Sequence, residues 1–199
     1  MNEATPNRQI RADYDEDTIT VYQAYSPSIA GPAAATGRFG GGFERRRMTW
    51  IKPSFRWMMY RCGWATKPGQ ERVLAIRITR AGFEWALEHS AFAHYDARLH
   101  ADREAWRATL AEPVRIQWDP ERDVHFNPLG HRSVQIGVGG AAVDRYCDEW
   151  IRGIEDVTAL AHRCRAELAE AGPQAAAALL PAERPYPVPA AVAAHIGIR

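Results

Sequence analysis

The chain has 199 residues, 46% of them hydrophobic, which suffices for one domain with a real core and hardly for two. A formal charge of +1 excludes a whole-surface attraction to nucleic acid, and three scattered cysteines exclude a disulfide framework. No apolar run nears the roughly 18 residues of a membrane span, and the start MNEATPNRQIRADYDEDT lacks the order of a signal peptide, so a cytoplasmic protein with reduced thiols and no membrane partner is expected.

Residues 1–17 form an arm with an acidic cluster, Asp13, Asp15, Glu16 and Asp17, beside Arg8 and Arg11, for which solvated ion pairing is the plain reading. Thr18–Tyr25 (TITVYQAY) alternates as a strand with Ile19, Val21, Gln23 and Tyr25 on one face. A polar Gln23 turned inward must find a partner, which makes it a candidate site residue. Ser26-Pro27 opens a short helix that Gly37 stops, and Gly40–Gly42 makes a flexible joint.

Arg47–Ile51 predicts a second strand, and Pro53 with Ser54 starts a helix that Gly63 ends or kinks. On this helix Phe55, Met58, Met59 and Cys62 follow the spacing of a core-facing stripe, while Trp57, Tyr60, Arg61 and Trp64 make a second, aromatic and cationic one. The second stripe reads either as more core with arginines reaching to solvent or as the wall of a ligand pocket. From Arg38 to Arg72 nine Lys and Arg residues face only Glu44 and Glu71, so a local anion site is expected there. Lys52, between strand and helix, is placed for an anion at a helix start.

Arg72–Thr79 (RVLAIRIT) is the clearest strand, followed by a helical turn over Ala81–Leu87. Ser90–Ala111 reads as loop plus helix, and Val114–Trp118 and Arg132–Val138 as strands around a polar, turn-rich link. A long C-terminal helix is predicted over Ala141–Ala171, with Tyr146, Trp150, Ile154, Val157 and Leu160 as its apolar stripe. Residues 18–171 thus make a single α+β domain, and 172–199 an Ala/Pro-rich tail.

No G-x-G-x-x-G follows the first strand and no G-x-x-x-x-G-K-[ST] occurs, which removes the common dinucleotide and P-loop readings. GRFGGGF remains a weak phosphate-loop candidate. His89 and His94, or His125 and His131, are not spaced to share a metal on one helix, and no metal is expected. Ser54 and Cys62 lack the local signature of a catalytic nucleophile.

The blocks RADYDEDTITVYQAYSPSIA, RMTWIKPSFRWMMYRCGWATKP, ERVLAIRITRAGFEWAL and HFNPLGHRSVQIG resemble, in order, those of the family domain of unknown function 4291. More loosely, VYQAYSPSIAGPAAATGRF, MTWIKPSF, RVLAIRI and HFNPLGHRSVQI are similar to the succession of elements in ADP-ribosyltransferase-like domains. That resemblance implies a bent, split, mixed or antiparallel β-sheet flanked by helices, with NAD in its cleft. This chain departs from it in carrying Gln23 in the first strand and Gln135 where a glutamate would be expected; Asp119 or Asp123 could supply the missing carboxylate.

Two readings follow. As a transferase acting on a nucleotide or on NAD, with nucleic acid as a conceivable acceptor, the chain would use Gln23 and Tyr25 on the ribose and Lys52 and Arg47 on phosphate. Trp50, Ser54, Trp57 and Tyr60 would complete the cofactor site, and His125, Arg132 and Gln135 would approach the reacting centre. As a sensor, the same cleft would hold a nucleotide or a single-stranded base by stacking and charge without turnover. The sequence leaves the oligomeric state open.

Overall fold

In the computed structural model, which describes residues 5–198, the chain folds around two antiparallel-dominated sheets that meet at one point. The first sheet orders β2 (Thr18–Tyr25), β4 (Arg72–Thr79) and β8 (Ile151–Asp156). The second orders β3 (Thr49–Ile51), β7 (Pro128–Val138), β6 (Val114–Arg122) and β5 (Ser90–Phe92), with β5 parallel to β6. Just past β3, Lys52 exchanges backbone hydrogen bonds with Tyr22: Tyr22 N donates to Lys52 O at 2.7 Å and Lys52 N to Tyr22 O at 3.3 Å. The two sheets diverge from this bridge, and a cleft opens between β2 and the outer edge of β3.

Alternation in the sequence explains the strands. Ile19 and Val21 face the core beside Ile76 and Ile78, their cross-strand partners in the β2–β4 ladder, and all four are fully buried. α1 (Pro27–Thr36) ends on Gly37, which takes the left-handed conformation that favours glycine. α3 (Arg80–Glu88) extends the helical turn expected there, and α4 (Arg103–Thr109) follows β5. Among the described residues no helix is long and apolar enough to cross a membrane.

The long helix expected over residues 141–171 is replaced by four elements. They are α5 (Ala142–Arg145), a π turn over Tyr146–Trp150, strand β8, and α6 (Thr158–Glu170). The physical reason is the open edge of β4. Ile151-Arg152-Gly153-Ile154 combines β-branched residues with a glycine, a poor helix interior, and Ile154 and Ile151 pair with Ile76 and Ile78. A strand here satisfies a row of backbone donors and acceptors that a helix would have left unpaired.

Segments 11–12 and 184–185, far apart in sequence, meet. β1 (Arg11–Ala12) pairs with β9 (Arg184–Pro185), Tyr186 N donates to Ile10 O, and the Tyr186 ring is buried against Phe83. α7 (Pro173–Ala178) packs beside α6, and α8 (Ala190–His195) buries Val192, with Trp118 Nε1 donating to Ile196 O at 3.0 Å.

Gly82, near the start of α3, lies against the buried Trp150 ring: a Cβ there would stand 2.4 Å from Trp150 Cγ. Gly82→Ala should therefore lose about 2 kcal/mol of stability in urea melts, although alanine is the better helix former by about 1 kcal/mol. A neutral or stabilising result would mean that the π turn yields.

Candidate functional site

The cleft of about 410 Å³ has β2, the loop after α1 and the edge of β3 as walls, and α2 (Phe55–Cys62) closes one end. Gln23 and Tyr25 come from β2, Phe43 and Glu44 from the loop, Arg47, Thr49, Trp50 and Lys52 from the β3 segment, and Arg61 from α2. The glycine-rich loop is anchored by aromatic packing: Phe39 and Phe43 stack at 4.2 Å, and Tyr25 meets both rings edge-on. Trp50 pairs across the ladder with Gly137, where a Cβ would come within 3.0 Å of the indole, so the glycine lets the ring lie close to β7.

Gln23 is 2% exposed and its polar atoms are committed inside the protein. Its amide nitrogen donates to Thr49 Oγ1 at 2.6 Å, Tyr25 Oη at 2.9 Å and Trp50 O at 3.1 Å, while its carbonyl accepts from Tyr146 Oη at 2.8 Å. Gln23 therefore clamps β2 to β3 and to the π turn, and presents the Tyr25 and Thr49 hydroxyls, 3.1 Å apart, at the cleft. Burial pushes the Tyr25 phenol up to about 12, so it remains a neutral donor.

Beneath the cleft, Trp57 Nε1 is buried with no hydrogen-bond partner among the described residues, and Lys52 above it is a further exception to this satisfaction. It is 4% exposed, and among the described residues its ammonium has no hydrogen-bond partner; the nearest compensation is the Trp57 ring, 4.8 Å away. Burial, and then the Arg61 charge, bring its amine down to about 7, against a smaller opposing pull from Asp119. An amine that gains or loses its proton near neutrality thus lies at the floor of an open cleft with a positive group, Arg61, beside it.

The start of α2 is already occupied. Ser54 caps the helix, its Oγ accepting from Trp57 N at 3.1 Å, and the Glu183 carboxylate accepts from Phe55 N at 2.6 Å. The tail thus folds back onto this helix and places its own carboxyl group where an anionic ligand was expected. Burial raises Glu183 to about 8.

Of the residues singled out from the sequence, Gln23, Tyr25, Arg47, Trp50 and Lys52 are brought together in the cleft. The others lie outside its lining. Trp57 is buried beneath Lys52, and Tyr60 packs under the Arg122 guanidinium at 4.0 Å and edge-on to Phe126. Trp64 stacks on Phe126. The aromatic stripe of α2 therefore packs largely on the β6–β7 hairpin. His125 is exposed at the tip of that hairpin, in a turn held by Asp123. Arg132 donates to Trp118 O and borders a separate cavity with Arg8 and Tyr95. Gln135 and Gln117 each donate to one oxygen of Asp119 at 2.7 Å, so neither oxygen of that carboxylate is free of a partner.

Thr49, Arg61 and Tyr146 were not singled out as site residues. Thr49 and Tyr146 join it through long-range hydrogen bonds that no local pattern encodes; Arg61 was visible only as one member of the cationic stripe. Among the described residues no group of three or more His, Cys, Asp or Glu could hold a metal ion.

Fold and cleft together define a single α+β domain whose two sheets frame a pocket with a largely buried lysine in its lining. The chain belongs to the family described as Domain of unknown function (DUF4291), which matches residues 9–186. Comparison with curated proteins gave no match.

Proposed function

We propose that the cleft binds a nucleotide-type ligand, with NAD as the leading candidate, in a cytoplasmic protein of ADP-ribosyltransferase-like type. The observation that carries the binding reading is Lys52, a buried amine without a hydrogen-bonding partner that faces an open cleft beside Arg61. Leaving such a group unpaired costs stability, and a ligand oxygen would recover it. In this reading the exposed guanidiniums of Arg47 and Arg61 take the phosphates at the mouth. The ribose lies at the floor near Lys52 and the Tyr25 and Thr49 hydroxyls, and Trp50 offers a ring to the base or nicotinamide. Transfer of ADP-ribose to an acceptor, nucleic acid included, is the reaction that the resemblance implies.

A second reading, binding without turnover, is favoured by one feature. Gln23 is saturated within the protein and both oxygens of Asp119 accept from glutamines, which leaves Glu44 as the carboxylate lining the cleft. Stabilising the charge that develops as nicotinamide departs is commonly a large catalytic term.

NAD, ADP-ribose or ATP should quench tryptophan fluorescence saturably, and Arg61→Ala, a change at an exposed position, should weaken binding about tenfold or more. No binding of any of the three would overturn the proposal. Release of nicotinamide from NAD separates transferase from sensor.

A further inference from the structure

The chain contains only two lysines among its 25 Lys and Arg residues, and the structure buries one of them at the floor of the cleft. Lys67 is exposed and donates to the carbonyls of Tyr60 and Arg61, at 3.4 and 2.8 Å. Among the described residues Lys52 has no such partner, and it lines the cleft instead. An arginine at position 52 would stay charged under all ordinary conditions, whereas a lysine can shed its proton and become a nucleophile. Burial favours that loss first and the Arg61 charge from α2 next, with Arg47 from the segment before β3 lining the same cleft. Asp119 from β6 opposes them but is shared by two glutamines, Glu44 is exposed, and Tyr25 from β2 is neutral. The Trp57 ring beneath opposes the loss as well, since its face favours the ammonium.

We propose that Lys52 is a covalent-catalytic amine that condenses with the aldehyde of a ring-opened, phosphorylated pentose, such as the terminal ribose of ADP-ribose. This rests on the nucleotide reading of the cleft, with Arg47 and Arg61 on the phosphates and Lys52 left to the sugar carbon. The neutral Nζ attacks C1 and forms the N–C bond while the carbonyl π pair moves to oxygen. That oxygen takes up the proton the nitrogen sheds, giving a carbinolamine. Loss of the hydroxyl with one further proton, as water, gives the imine; no oxidant or reductant takes part.

The test treats the full chain with ADP-ribose, and separately with glyceraldehyde, an aldehyde without phosphate, in the presence of cyanoborohydride. Reduction converts the imine to a secondary amine, so the Lys52 peptide should gain the mass of the aldehyde less one oxygen. Labelling of Lys52 should rise with pH through about 7. At pH 7 Lys52 should react at least tenfold faster than Lys67. Lys52→Arg should abolish the adduct, whereas Lys67→Arg, outside the cleft, should leave the Lys52 adduct intact. Lys52 labelling no faster than Lys67, or none while ADP-ribose binding is measured, overturns the inference and leaves the binding reading standing. Rapid Lys52 labelling by glyceraldehyde without any nucleotide binding supports the reactive amine and rejects the nucleotide reading. Neither binding nor labelling rejects both.

Discussion

Lys52→Met should melt higher than the parent protein while losing its affinity for NAD. Burial holds the Lys52 amine near 7, below the roughly 10.4 of an unfolded lysine, so the unfolded chain binds the proton more tightly. The sign follows from linkage. A depressed lysine costs stability that is fully present below pH 7 and disappears as pH rises toward 10.4, and the shift corresponds to roughly 5 kcal/mol at most. Methionine of similar length removes this cost but also the contact of the ammonium with the Trp57 ring, worth about 1 to 2 kcal/mol when desolvated. A net gain of about 2 kcal/mol, or several degrees in Tm, is expected at pH 6 and should vanish by pH 10. Urea melts of both proteins at the two pH values make the measurement. A variant that is less stable at pH 6 would mean that the folded protein already satisfies the ammonium. Gain of stability together with loss of binding is the signature of a residue kept for its ligand.

Gln23→Leu should destabilise the domain by about 3 kcal/mol. The replacement fills similar space yet strips the fully buried Tyr146 hydroxyl of its acceptor and leaves Thr49 Oγ1 and Trp50 O without their shared donor. Gln23→Glu keeps the acceptor for Tyr146 and turns the donor side into a second acceptor facing Trp50 O. Its carboxyl should therefore titrate well above its ordinary value. A raised folded value for an acid makes the cost absent below the unfolded value of about 4.3 and growing above it, so this variant should approach the parent near pH 4 and fall behind at pH 8. A loss for Gln23→Leu smaller than 1 kcal/mol would mean that water replaces the amide.

These two residues show how much of the site could be read in advance. Gln23 stood out because alternation along TITVYQAY turned a polar side chain inward, and Lys52 because it sits between a strand and a helix start. What each does was not legible. Gln23 is saturated by partners as distant as Tyr146, and the helix start near Lys52 takes its acceptor from Glu183 in the tail. Trp57 and Tyr60 met the spacing of a second helical face, yet that face packs largely on the β6–β7 hairpin because Arg122 and Phe126 cover it. Helical spacing says which residues share a face, and nothing about which element arrives there.

Residue pattern by itself determined the local elements: the strands over 18–25 and 72–79, the capped helix after Pro53, and the core stripe of Phe55, Met58, Met59 and Cys62. Each depends on interactions a few residues long, which periodicity and capping record directly. Only the tertiary structure decided that residues 151–156 become a strand, that the tail caps α2, and that Lys52 stands unpartnered between two sheets. The reason is common to all three. An open strand edge, a free helix start and an unpaired buried charge are demands made by one part of the chain and answered, or left unanswered, by parts far away in sequence.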